Sequence, residues 1–190
     1  MTWIEAIAFV LGVANVTLLV RRSVWNYPFA LAMVSLYAAV FADARLYSDA
    51  LLQVFFFVVN VFGWIGWTAN RARAGTVVVE TLSLRAGAGW ALGGLAAAAL
   101  WGTLMHRYTD AAYPWWDAAI AVASVVAQIL LAQRKLANWA IWIVVDIASI
   151  ALYLAKGLWL TTVLYAVFLA LAAWGLIDWR RVLAQQRGVA

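Results

Sequence analysis

Cysteine is absent from this 190-residue sequence, which excludes disulfides, thiol catalysis and cysteine-ligated metals. Charge is scarce as well. Only 11% of the residues are charged and 68% are hydrophobic, against roughly 25% charged in soluble domains. A soluble domain of this length needs more polar surface than these residues can supply. The single histidine, His106, lies beside Arg107 at a helix end and reads as a loop residue rather than a ligand or base. No metal-ligand cluster, nucleophile–base pair or phosphate-binding glycine loop is present. The sequence therefore assigns no enzyme chemistry, no metal and no cofactor. The net charge of +5 does not point to nucleic acid, because the basic residues sit at helix ends and not along one polar face. Met1 to Val20 holds only Glu5 before Arg21 and has no basic n-region. It is expected to be a mature first helix, not a cleaved signal peptide.

What the sequence does contain is long apolar runs and 13 tryptophans, the latter suited to the aromatic belts at membrane interfaces. A run of about 20 apolar residues crosses a hydrocarbon core ~30 Å thick as a helix. Spans are expected near 3–20, 26–42, 47–68, 87–105, 114–132, 138–155 and 158–179. This gives an all-α integral membrane protein with seven transmembrane helices. With the N-terminus outside, ten basic residues fall on the cytoplasmic side: Arg21, Arg22, Arg71, Arg73, Arg85, Arg134, Lys135, Arg180, Arg181 and Arg187. Arg45, Arg107 and Lys156 fall outside. The positive-inside bias thus predicts N-out and C-in.

An offset of 112 positions aligns 1–70 with 113–182 without a gap. It pairs Trp3 with Trp115, Glu5 with Asp117, Arg22 with Arg134 and Asn26 with Asn138. It also pairs Leu46 with Leu158, Gly63 with Gly175 and Trp67 with Trp179. Matches of Trp, Gly, Asn and Arg at one fixed offset indicate duplication. Residues 1–70 are read as a first three-helix repeat, 71–112 as a loop and linking helix, 113–182 as a second repeat, and 183–190 as a cytoplasmic tail. The linking helix restores direction, so the halves are parallel repeats in a 3+1+3 layout, with solute expected near the midplane between them. Gly89 and Gly93 on that helix, at GxxxG spacing, are expected to let helices approach closely.

An ionisable side chain deep in a bilayer is costly, from ~3 kcal/mol upward, so its presence suggests a role. Asp146 is the acidic residue that lies well inside a span. Trp139, Trp142 and Asp146 share one helix face, extended by Ser149 and Tyr153. Two indoles and a carboxylate suit a flat aromatic cation; the alternative is an aspartate hydrogen-bonded to a neighbouring helix beside belt tryptophans. In the third span Gln53, Phe57, Asn60, Trp64 and Trp67 recur on one face. Its amides suit sugar hydroxyls or a carboxamide, although interhelical hydrogen bonding is an alternative. At the offset, Gln53 corresponds to Tyr165, Asn60 to Ala172 and Asp146 to Val34. Polar groups differ between the halves, as an asymmetric ligand requires. The substrate-binding set expected is Gln53, Phe57, Asn60, Asn138, Trp139, Trp142, Asp146 and Tyr165.

The run from Leu46 to Trp67 resembles the third-helix signature of PnuC-type vitamin transporters, and Trp139, Trp142 and Asp146 resemble their WxxWxxx(N/D) motif. Tyr153 to Tyr165, with Gly175 and Trp179, continues the likeness, which covers nearly the whole chain. The resemblance implies a SWEET-like architecture and uptake of nicotinamide riboside by facilitated diffusion across the bacterial inner membrane. It further implies trapping by a cytoplasmic kinase, homotrimeric assembly, and substrate contacts at Gln53, Asn60, Asn138, Trp139, Trp142 and Asp146. Many nicotinamide riboside carriers have Asn where this chain has Asp146, and Asp there resembles the thiamine-transporting branch. A channel or a structural membrane subunit is the reading from another class.

Overall fold

In a computed structural model, the described residues are 3–43, 47–110, 113–155, 157 and 159–188; the side chains of 3–6, 40–43, 47–51 and 160 fall outside the description. The described residues form seven helices: α1 (Trp3–Val20), α2 (Asn26–Asp43), α3 (Tyr47–Ala74), α4 (Leu84–Tyr108), α5 (Pro114–Ala132), α6 (Ala137–Ala155) and α7 (Trp159–Gly188). Five of them, among the described residues, are long and apolar enough to cross a membrane. The helices start and stop near the ends of the apolar runs, apart from α3, α4 and α7; α4 takes in Arg85, His106 and Arg107. Helices α3 and α7 continue past the apolar window into Arg71 and Arg73, and into Arg180, Arg181 and Arg187. Arg, Ala and Gln are good helix formers, so the helix outlasts the hydrophobicity.

Helix packing forms a closed circuit: α1 touches α2, α2 touches α3, α3 touches α5, α5 touches α6, α6 touches α7, and α7 returns to α1. Helix α4 stands outside the circuit, against α5. Ser83 caps its first turn by accepting from the Ala86 N–H. Gly102, whose added Cβ would meet the Trp115 ring at 2.5 Å, marks the close approach of α4 to α5. Gly89 and Gly93 do not serve that purpose, for nothing stands within 4 Å of either Cβ position. Leu92, Leu95 and Leu100 leave the outer face of α4 apolar and exposed.

One end of the circuit, the basic end, is tightly sealed. Helices α1 and α5 end in the same way. Ser23 and Lys135 N–H groups bond to Leu18 and Leu130 carbonyls, while Arg22 and Arg134 N–H groups bond to Leu19 and Leu131 carbonyls. This double bond pattern is the Schellman ending, here with arginine in the left-handed position (φ 53° and 59°) where glycine is usual. Non-glycine residues there carry a strain of about 1–3 kcal/mol. Both arginines are held by carboxylates: Arg22 by Asp178, and Arg134 by Glu80 at 2.6 Å.

Around these turns lies the core cluster of Leu19, Val20, Tyr27, Trp67, Leu131, Trp139 and Trp179. The Trp67 indole donates to the Leu131 carbonyl, and the Trp179 indole donates to the Val20 carbonyl at 3.2 Å. Each indole thus ties one helix to a carbonyl in the last turn of another, so that both buried indole N–H groups are paired. Tyr27 packs onto Gly63, and Trp139 onto Gly175. Residues 112 apart therefore stand in matching places at this end of the molecule.

Candidate solute-binding site

Helix α6 brings Asn138 to the sealed end and carries Asp146 to its middle. Asn138 is buried, and its amide donates to the Lys135 carbonyl at 2.7 Å, which secures the start of the helix. Asn26 does the same to Ser23 at the start of α2. Trp139 is buried edge-on against Trp179 at 5.5 Å, and Trp142 packs partly buried against the same cluster. These two indoles form the floor above which Asp146 lies.

Asp146 is buried at 3% exposure. None of the salt bridges among the described residues involves it. Ser149, one turn further on, is fully buried, and its hydroxyl has no hydrogen-bond partner. Tyr165 of α7 faces Tyr153 of α6. The Tyr153 and Tyr165 rings are 5.2 Å apart, and Phe168 meets Tyr165 edge-on. A buried carboxylate and a free hydroxyl on α6 therefore lie on the helix that carries Tyr153, whose ring pairs with Tyr165 of α7.

Helix α3 supplies less than the expected stripe. Asn60 is buried; its amide nitrogen donates to the Phe56 carbonyl at 2.8 Å, and its oxygen accepts from Gln128 of α5 at 3.1 Å. Gln53 is partly buried. Phe57 and Trp64, at 40% and 38% exposure, lie on the outer flank, while Trp67 is fully buried. The five positions span an arc of about 80° at 3.6 residues per turn, and only the Asn60–Trp67 side of that arc faces inward. Gln128 was not singled out from the sequence, although an amide inside an apolar span is the available signal. Asn15, buried with its side-chain oxygen unpaired, is another such amide.

Glu80 lies outside the spans, in the α3–α4 connection. It accepts from Lys135 and Arg134, each at 2.6 Å. The hydrogen bond from Lys135 foremost, together with Arg134, holds its carboxyl below the usual range against the opposing effect of partial burial.

Apolar helices enclosing a small polar interior define a multi-pass membrane transporter. The chain belongs to the nicotinamide mononucleotide transporter family, whose model matches residues 2–181. It is similar to the nicotinamide riboside transporter PnuC of Escherichia coli (strain K12), at 25% identity over 99% of this chain and 89% of that one. It is 30% identical to the riboflavin/roseoflavin transporter RibM of Streptomyces davaonensis, over 93% of this chain and 84% of the relative. A crystal structure of the vitamin B3 transporter PnuC superposes with a TM-score of 0.78 at 26% identity, covering 97% of this chain and 83% of that one.

Proposed function

We propose that this chain takes up a cationic aromatic vitamin, nicotinamide riboside foremost, by facilitated diffusion, and that a cytoplasmic kinase traps the solute by phosphorylation. The observation that carries this reading is Asp146, a buried carboxylate without a basic partner among the described residues. Burying a lone charge costs several kcal/mol, and a pyridinium ring would offset that cost. Neutral riboflavin leaves the carboxylate uncompensated, and a nucleotide phosphate would be repelled by it. Tyr165, Tyr153 and Trp142 offer ring faces and Gln53 adds an amide, while Asn60 and Asn138 brace the helices around them. Thiamine, whose thiazolium is also cationic, is the second reading, favoured by Asp rather than Asn at position 146.

The architecture in this reading is seven transmembrane helices in a 3+1+3 parallel duplication. Its support is the set of 112-residue partners at the sealed end: Arg22 with Arg134, Tyr27 with Trp139, Gly63 with Gly175, Trp67 with Trp179. The positive-inside rule assigns the basic end to the cytoplasm of the bacterial inner membrane, N-terminus out and C-terminus in. A homotrimer is the proposed assembly. Calorimetry on purified protein with nicotinamide riboside, thiamine and riboflavin tests the substrate. One of the two cations should bind, and Asp146→Asn should weaken it roughly 10- to 100-fold, the range for a charge-assisted contact. Tighter binding of riboflavin, or no effect of the substitution, would refute the role given to Asp146.

A further inference from the structure

The segment 75–83 leaves α3 at Gly75, which adopts a left-handed φ of +74° in open space, and ends at Ser83, the cap of α4. It does not loop freely over the surface. The Asn70 side-chain oxygen accepts from the Val78 N–H at 2.8 Å. Val77 and Val79, each 3% exposed, point down into the Trp67–Trp139–Trp179 cluster. Glu80 then bridges to the α5–α6 turn: its N–H donates to the Arg134 carbonyl at 3.0 Å, and its carbonyl accepts from the Leu136 N–H at 2.9 Å. Its carboxylate takes Arg134 and Lys135 as well. Beyond Glu80 the segment stands away from α6 and α7, leaving an open cleft of about 210 Å³ lined in part by Thr81, Leu82, Leu136 and Arg180.

The two arginine turns reveal what the segment replaces. Arg22 is held across the α1–α7 seam by Asp178 of α7 itself. The position of α3 that lies 112 residues before Asp178 is Gly66, where an added Cβ would stand 4.0 Å from Arg134 Nη1, and it has no carboxylate to offer. Glu80 supplies the missing carboxylate from outside the circuit. The Arg22 turn is therefore pinned helix to helix, whereas the Arg134 turn, over an α3–α5 seam joined also by the Trp67–Leu131 and Asn60–Gln128 hydrogen bonds, is pinned by a strap that can leave without unwinding a helix. We propose that residues 75–83 are a gate over the basic end, shut by the Glu80 clamp and by Val77 and Val79, and that its release opens the α3–α5 seam to the cytoplasm. This proposal rests on the transport reading, since a gate needs a path to close.

The chain holds no cysteine, so introduced thiols can be read singly. Ser149→Cys places a thiol in the interior, and a membrane-impermeant maleimide applied to inside-out vesicles reports access from the basic end. Adding Glu80→Gln should raise the labelling rate about 2- to 5-fold, the scale of a partly exposed ion pair lost. That readout needs no solute, so it stands even if no vitamin binds. A second arm joins Glu80→Cys to Lys135→Cys, which are bridge neighbours within disulfide reach. After oxidation, uptake into proteoliposomes should fall to background and return on reduction. Labelling at the parent rate in Glu80→Gln, or uptake unchanged by the cross-link, would overturn the gate.

Discussion

Gly175 has no room for a methyl group, since a Cβ there would stand 2.7 Å from three atoms of the Trp139 ring, itself wedged against Trp179. Gly175→Ala should destabilise the protein by about 1–3 kcal/mol, the usual cost of overpacking. Gly89→Ala, in open space, should be neutral or stabilising by up to about 1 kcal/mol through helix propensity. Thermal melting in detergent separates the two, and equal effects would contradict the packing described. At this scale the sequence is uneven as a guide. Asp146 stood out because a carboxylate amid apolar residues has few structural reasons to be there. Phe57 was expected on the same face as Asn60, but spacing places a residue on an arc without saying which edge of the arc turns inward, and Phe57 is 40% exposed. Ser149 shared the Asp146 face by spacing, but its unpaired hydroxyl depends on what the other helices present.

At the scale of elements, the Asn60–Gln128 hydrogen bond joins α3 to α5, one of the two contacts, with α1–α7, that link α1–α3 to α5–α7. A double-mutant cycle of Asn60→Leu and Gln128→Leu should return a coupling near ~0.6 kcal/mol and not above ~1.7, the range for polar pairs between membrane helices. Zero coupling, measured by unfolding in mixed micelles, would mean that the bond is not formed in the folded protein. Helix bounds were readable because apolar length sets them. The strap was not, since Val77, Val78 and Val79 lie between charged residues in what reads as a connection. Only the left-handed turns and the arginines they aim give Glu80 its partners, and those turns carry no glycine to announce them. The close approach of α4 was misplaced for a similar reason. Small residues permit contact, but Gly102 makes it only because Trp115 stands opposite.

For the whole molecule, a closed circuit of six helices with a seventh outside surrounds an interior whose buried polar residues, among the described ones, belong mainly to α6, with Asn15, Asn26 and Asn60 added from α1, α2 and α3. The matched turns and indole bonds at the basic end, with unmatched polar groups deeper inside, fit a duplicated scaffold that has kept its frame while its interior diverged. In the proposed transport reading, such a scaffold would rock about a fixed site rather than open a continuous pore. A channel reading predicts flux that rises linearly with concentration, and a transporter predicts saturation. The most direct test is counterflow of labelled nicotinamide riboside in proteoliposomes, without ion gradients, comparing the parent protein with Asp146→Asn. Saturable exchange that Asp146→Asn reduces roughly tenfold or more is the expected result; linear flux, or exchange indifferent to Asp146, would contradict the account.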